Sequence, residues 1–351
     1  MPYTLSRRDF IRQARGLALA TPFLSLVACE DRDVKRKLTA IRGDTMGTTY
    51  SVKIADLPKS LDRGTLAAEI DRLLETVNDQ MSTYRPRSEL SRFNDAAAGV
   101  WEAVSPDTLA VVDEALRIGR LTEGAFDPTV GPLVDLWGFG PGGESQRVPS
   151  AERIAAARAR IGYDAVRTRS AAPALGKDRS GLRVDLSGIA KGFGVDKIAE
   201  HLEAAGVEHY LVEIGGELRG RGQSPEDRPW RVGSEKPRAA PGTVQRVVRV
   251  DGRAVATSGD YRIFFESAGQ RFSHIVNPQS GRPVDHGLAS ATVVADTTMQ
   301  ADALSTALLV LGPEAGLALA KRENIAAHFV AKTGSGFEEF ASPAFAEHRI
   351  A

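Results

Sequence analysis

Two stretches of this chain combine charges and hydroxyls at spacings that suit phosphate and metal chemistry. In Asp185-Leu186-Ser187-Gly188-Ile189-Ala190-Lys191-Gly192, a strand-like run ends at an aspartate, glycine relaxes the turn, and a helix opens with its first N–H groups free. Such a helix start attracts anions, and Lys191 in the first turn adds a charged donor. The Gly-x4-Gly-Lys-Ser/Thr spacing of a P-loop is absent, and the competing reading is an ordinary strand-to-helix turn with an exposed lysine. In Gln300-Ala301-Asp302-Ala303-Leu304-Ser305-Thr306, Asp302 and Thr306 are four apart and share one helix face. A carboxylate and a hydroxyl there suit a hard cation such as Mg²⁺, which completes its shell with waters or substrate phosphates. The competing reading is an acid favoured near the start of its own helix.

A third stretch, Arg271 to Pro278 followed by Ser280-Gly281-Arg282-Pro283, carries His274 on a strand that leads into a tight turn. A histidine so placed can act as a general base or bind a ring. His201, His209, His286, His328 and His348 compete with it on composition alone. Nearer the N-terminus, Thr45 to Thr49, Met81 to Pro86 and Gly124 to Pro132 offer Met46, Tyr84 and Phe126 for an apolar slot, with Asp127 to bond a ring or sugar. Taken singly these read as core and turn residues. No Ser/His/Asp triad, no His-rich or His-Glu-x-x-His metal motif and no dinucleotide-binding glycine fingerprint can be picked out.

The elements that must position these residues are legible from patterning. Leu38 to Arg42 and Thr48 to Ile54 read as strands. Leu66, Ile70, Leu73, Leu74, Val77 and Met81 recur at helical spacing, which predicts an amphipathic helix over Leu61 to Ser82. Ser105-Pro106 opens a helix that ends near Gly124, and Ser150 caps an Ala-rich one that stops at Gly162. Further strands are expected at Leu182–Asp185, Tyr210–Ile214, Val244–Val250, Ile263–Glu266 and Ala291–Ala295, with helices at Gly188–Ala205 and Thr298–Leu311. Short turn-separated strands after Glu208 favour antiparallel pairing, hence an α+β fold.

The chain has 351 residues and equal numbers of acidic and basic side chains, a balance that argues against a nucleic-acid partner. Its one cysteine excludes an internal disulfide and any Cys-rich metal site. That cysteine closes an unusual N-terminus. Arg7-Arg8 with Phe10 precedes thirteen uncharged residues from Gly16 to Ala28, too few to span a membrane but suited to an export signal. Arg7-Arg8-Asp9-Phe10 resembles a twin-arginine signal, and Leu26-Val27-Ala28-Cys29 resembles a bacterial lipobox. The expectation is therefore a signal peptide over 1–28, a lipidated Cys29 with a charged tether over 29–37, and a catalytic domain over 38–351. Removal of residues 1–28 takes away four arginines and one aspartate, leaving a formal net charge of −3.

In order along the chain, Met46-Gly47-Thr48, Met81 to Asn94, Gly124 to Gly140, Asp185 to Gly192, Glu213 to Glu217, Ala256 to Arg262, Ser273 to Pro283 and Ala301 to Leu308 together resemble the ApbE family of FAD:protein FMN transferases. The likeness runs from about Asp44 to Gly312 and rests on eight separated motifs in the right order. It implies an α+β fold of the tunnelling type, FAD as substrate and Mg²⁺ as cofactor. The implied reaction moves FMN to a Thr or Ser hydroxyl of an acceptor protein and releases AMP. By motif position, Met46, Tyr84, Ala125, Phe126, Asp127, Asp185, Lys191 and Val276 would touch FAD. The Gly188 carbonyl, Asp302 and Thr306 would hold the metal, and His274 would be the catalytic histidine. Asn277 stands where the family commonly has aspartate, and Ser187-Gly188 replaces a more usual pair of small residues. Exported members work on the periplasmic side, and the family suggests a membrane redox subunit as acceptor. Two other activities compete: a Mg²⁺-dependent FAD pyrophosphatase with water as acceptor, and a lipid-anchored flavin-binding protein without turnover.

Overall fold

The computed structural model describes residues 36–143, 146–235, 244–261, 263–334 and 336–348. The expected export signal and Cys29 lie outside these residues. Arg36 and Lys37, the end of the expected tether, are bonded to the body: Arg36 pairs with Asp56 and Asp227, and the Lys37 N–H donates to Asp56.

The backbone of the fold is an eight-stranded sheet in which every neighbouring pair is antiparallel. Its strands are β1 (Leu38–Thr45), β2 (Thr48–Ala55), β3 (Tyr210–Ile214), β4 (Glu217–Arg221), β5 (Arg253–Gly259), β6 (Leu288–Ala295), β7 (Ala326–Lys332) and β8 (Phe337–Ala341), in that order across the sheet. The β1–β2 turn is Met46-Gly47, with φ of 48° and 73°, the two left-handed positions that a two-residue hairpin loop requires. Four larger helices matter for the site: α1 (Arg63–Met81), α2 (Pro106–Leu121), α3 (Ala190–Ala204) and α4 (Thr298–Arg322).

One sheet face packs on these helices. Ile41, Tyr50, Val52, Ile54, Val212 and Ile214 meet Leu66, Ile70 and Leu74 of α1 and Val195, Ile198 and Leu202 of α3. Further along, Ala256, Ala291 and Val293 meet α4 and α2. The opposite face, through Leu211, Leu218, Val255 and Val294, packs on a separate hairpin, Trp230–Glu235 with Val244–Val250. Burial on both sides explains why β6 reads as a nearly continuous apolar run. The α4 helix is long and apolar enough to cross a membrane by composition, but here it is a core helix.

The helices at 63–81, 106–121 and 151–158 form where expected, each with the side chain of Asp62, Ser105 or Ser150 accepting an N–H of its first turn. One expectation is corrected. Leu182–Asp185 is not a strand: the Asn94 side-chain amide takes the place of a neighbouring strand, its Oδ1 accepting from Val184 N at 2.7 Å and its Nδ2 donating to Val184 O at 2.8 Å. Val244–Val250 is a strand as expected and belongs to the outlying hairpin. The helix from Thr298 breaks after Leu311 as expected: Gly312 turns the chain with φ of 81°, and Pro313 opens a second helical segment to Arg322.

At the α3–α4 crossing the two backbones approach closely. A Cβ placed on Gly192 would stand 2.3 Å from the Thr298 carbonyl oxygen and 2.8 Å from Met299 Cα. Both obstacles are backbone, so no rotamer change relieves them. Gly192→Ala is expected to cost about 3 kcal/mol of stability, read as a lower urea or thermal midpoint; an unchanged midpoint refutes this account of the crossing.

Candidate active site

At that crossing the two helices exchange carboxylates. Asp196 of α3 accepts the N–H groups of Thr298 and Met299, at 2.9 and 2.8 Å, at the start of α4. Asp302 of α4 accepts the N–H of Gly192 at 3.1 Å, within the first turn of α3. Ile189, the residue before α3, provides no side-chain cap, so Asp302 serves as one across space. Arg219 of β4 lies 3.0 Å from Asp196, which balances that buried charge.

The same Asp302 oxygen, Oδ2, lies 3.4 Å from Lys191 Nζ, and Glu217 Oε1 of β4 lies 3.6 Å from it on the other side. The Lys191 ammonium also donates to the Ser187 carbonyl at 3.2 Å. Burial opposes the charge on Lys191, but the two carboxylates outweigh it and hold the ammonium above its ordinary range. The side chains of Asp302 and Glu217 are only 3% and 6% exposed. Two buried carboxylates from different elements thus flank one ammonium.

Gly188 and Thr306 close this corner. A Cβ on Gly188 would come within 3.2 Å of Phe126 Cε2 and 3.5 Å of Thr306 Oγ1. Ser258 of β5 lies 2.9 Å from Ser305 Oγ and 3.1 Å from Thr306 Oγ1, tying α4 to the sheet. A buried carboxylate and a hydroxyl four residues on, with Gly188 packed against that hydroxyl, supply oxygen ligands only, a donor set that fits a Mg²⁺ taking its remaining ligands from phosphates. Among the described residues no three His, Cys, Asp or Glu side chains converge, which leaves no all-protein metal cage.

The other expected site residues distribute around this corner. Met46 reaches α3 one turn along from Lys191, its Cε 3.1 Å from where a Gly194 Cβ would sit. Asp185 is fixed by Ser187 N, 2.8 Å from its Oδ1, and by its own N–H on the Pro128 carbonyl. Tyr84 is 69% exposed. Its phenol is raised by partial burial and by the charges of Asp185 and Asp135. Ala125 is buried with Val284 and Val310. Two side chains turn inward instead. Asp127 accepts the N–H and hydroxyl of Thr129, at 2.8 and 2.6 Å, and burial raises its carboxyl despite those bonds. Val276 packs its side chain among Trp137, Phe265 and Phe272. The Asn277 side chain accepts from Gln279 N and Ser280 N, so the turn is made without an aspartate.

His274 follows the strand Gln270–Ser273, which pairs with Phe264–Ser267. Its N–H and its Nδ1 both lie 3.1 Å from the Ile263 carbonyl oxygen. A carbonyl only accepts, so Nδ1 carries the proton and Nε2 keeps its lone pair. The ring meets Phe139 edge-on at 6.3 Å, and Phe139, Phe265, Phe272 and Trp137 stack behind it. Burial lowers the imidazole, and the Lys191 charge adds to that against the Ile263 bond and Asp260. Glu217, Ser258 and Asp196 have no role in the sequence reading, although Glu217 and Ser258 fall inside quoted motifs; their importance comes from tertiary contacts.

The profile of the ApbE family matches residues 46–329. The chain belongs to the ApbE family. A protein of Vibrio cholerae serotype O1 named FAD:protein FMN transferase is 48% identical over 329 residues, covering 94% of this chain and 97% of its own. An Escherichia coli K12 protein of the same name is 39% identical over 338 residues, covering 94% and 95%. The apo crystal structure of Pseudomonas stutzeri flavinyl transferase ApbE superposes with a TM-score of 0.83 at 44% identity, covering 90% of this chain and 98% of that one. The α+β expectation therefore holds, and the fold is that of the ApbE transferases.

The His274 environment makes a pH prediction. Because its folded pKa is depressed, its contribution to stability is present above the ordinary value of 6.5 and is lost as pH falls through the lower folded value. In an NMR titration His274 should remain neutral below pH 6.5 and report the Nε2 lone pair; a midpoint at or above 6.5 contradicts the burial argument.

Proposed function

We propose that this chain transfers FMN from FAD to a Thr or Ser hydroxyl of an acceptor protein in a Mg²⁺-dependent reaction that releases AMP. The observation that carries the reading is the meeting of Lys191, Asp302, Thr306 and Gly188 at one helix crossing. The names of the relatives support it.

In this reading Asp302, Thr306 and the Gly188 carbonyl hold the Mg²⁺. The ion supplies positive charge against the phosphoryl oxygens of FAD. Lys191 and the start of α3 bind the pyrophosphate. Phe126, Ala125 and Met46 form apolar walls, and Asp185 and Tyr84 flank the nucleotide. Asp127 holds the loop that presents Phe126, and Val276 serves through its backbone. His274 Nε2 takes the proton from the acceptor hydroxyl. The acceptor oxygen bonds to the FMN phosphorus as the bond from that phosphorus to the AMP oxygen breaks. Lys191 stabilises the charge that develops on the departing phosphate.

The place of work is part of the same proposal. Residues 1–28 direct export, Cys29 carries lipid, and the domain acts at the periplasmic face of a membrane. A membrane redox subunit is the acceptor class that such a tether would bring within reach. Mass spectrometry of the processed N-terminus tests this part: an unmodified Cys29 in the mature chain refutes the anchor.

Incubation with FAD, Mg²⁺ and an acceptor bearing a Thr/Ser site should yield a flavin-fluorescent acceptor band and AMP. Free FMN and AMP with an unlabelled acceptor would make the protein a pyrophosphatase. Flavin binding with no AMP would make it a binding protein. Asp302→Asn, which keeps an oxygen for the Gly192 N–H, should lower transfer by roughly 10²-fold or more. Transfer retained by that variant removes Asp302 from the metal set.

A further inference from the structure

The buried cluster at the α3–α4 crossing contains a competition for Asp302. Lys191 Nζ lies 3.4 Å from Asp302 Oδ2, the carboxylate read above as a metal ligand. A divalent cation on that carboxylate would face the ammonium across the same buried corner, and two cations at such separation repel strongly where water is scarce. Glu217 offers a second anion 3.6 Å from the same nitrogen, and β4 holds its 6%-exposed side chain against the cluster. The ammonium therefore stands between two nearly equidistant carboxylates, and a small side-chain swing exchanges one partner for the other. Among the described residues Glu217 is the only carboxylate besides Asp302 within ion-pair distance of Lys191.

We propose that Lys191 guards Asp302 while the site is empty and that Glu217 receives the lysine when a divalent cation takes Asp302, which makes Glu217 a positioning residue for Lys191. The proposal rests on the reading of Asp302 as a metal ligand and goes beyond it. The guard thus opposes a cation on Asp302 until the ammonium swings away. Once moved to Glu217, the ammonium remains at the mouth of the helix, where it meets the pyrophosphate.

The experiment is Mn²⁺ binding to the nucleotide-free protein, followed by electron paramagnetic resonance, so that the readout is independent of turnover. Lys191→Met should tighten Mn²⁺ binding, and Glu217→Gln should weaken it, each by roughly fivefold or more. In the Lys191→Met background the Glu217→Gln effect should fall below about twofold, because no lysine then needs a second partner. Equal weakening in both backgrounds would show that Glu217 acts on the cation directly and overturns the proposal. So does an unchanged affinity in Lys191→Met. Glu217→Asp, which keeps the charge, should bind as the wild type does; if it matches Glu217→Gln instead, the loss is one of packing and the proposal fails. Mn²⁺ binding that survives Asp302→Asn overturns the assignment of Asp302 itself, an outcome separate from failure of the guard alone.

Discussion

The reciprocal capping of α3 and α4 is the contact on which the rest of the site depends. Each helix start has N–H groups that its own turns cannot satisfy, and each is met by a carboxylate from the other helix. Either carboxylate alone would be a buried charge at a cost of several kcal/mol. Against a helix N-terminus, with Arg219 or Lys191 as counter-ion, the same charge is stabilising. The exchange is possible only because Gly192 lets the two backbones meet; with a side chain there, α3 would stand off and Asp302 would lose its N–H.

This geometry also sets aside the reading of Asp302 as an acid that serves the start of its own helix. It does interact with a helix terminus, but with that of α3, and it lies beyond the first turn of its own helix. The partner is 110 residues away, so helix propensity cannot find it. Lys191 is similar: as a first-turn lysine it looks solvent-exposed, whereas in the fold it is pinned by two acids from different elements.

What was legible in the sequence follows the same division between local and distant causes. The β1–β2 hairpin, α1 and α2 are set by periodicity, by a two-residue turn and by caps within a few residues, and all stand near their expected limits. Leu182–Asp185 has the composition of a strand, yet its partner is the side chain of Asn94. Glu213 to Glu217 is readable as part of a motif, while the use of Glu217 depends on β4 bringing it beneath Lys191. The eight motifs are legible as a set because their order is linear; their convergence belongs to the fold.

The two halves of the proposed chemistry are held by different forces. The anion and cation groups sit on helices locked by charge-assisted hydrogen bonds in the main body. His274 instead hangs beside a two-stranded hairpin positioned by aromatic stacking, with Trp137 at 5.4 Å from Phe272 and its Nε1 donating to the Gly281 carbonyl. A carbonyl bond fixes which nitrogen is free, and stacking fixes where the ring stands. Such an arrangement suits a base that must meet an incoming protein hydroxyl, because the phosphate corner can stay rigid while the ring's setting belongs to an outlying element. The division of labour is thus also a division of materials: ionic and hydrogen-bonded where charge is developed, aromatic where the partner arrives.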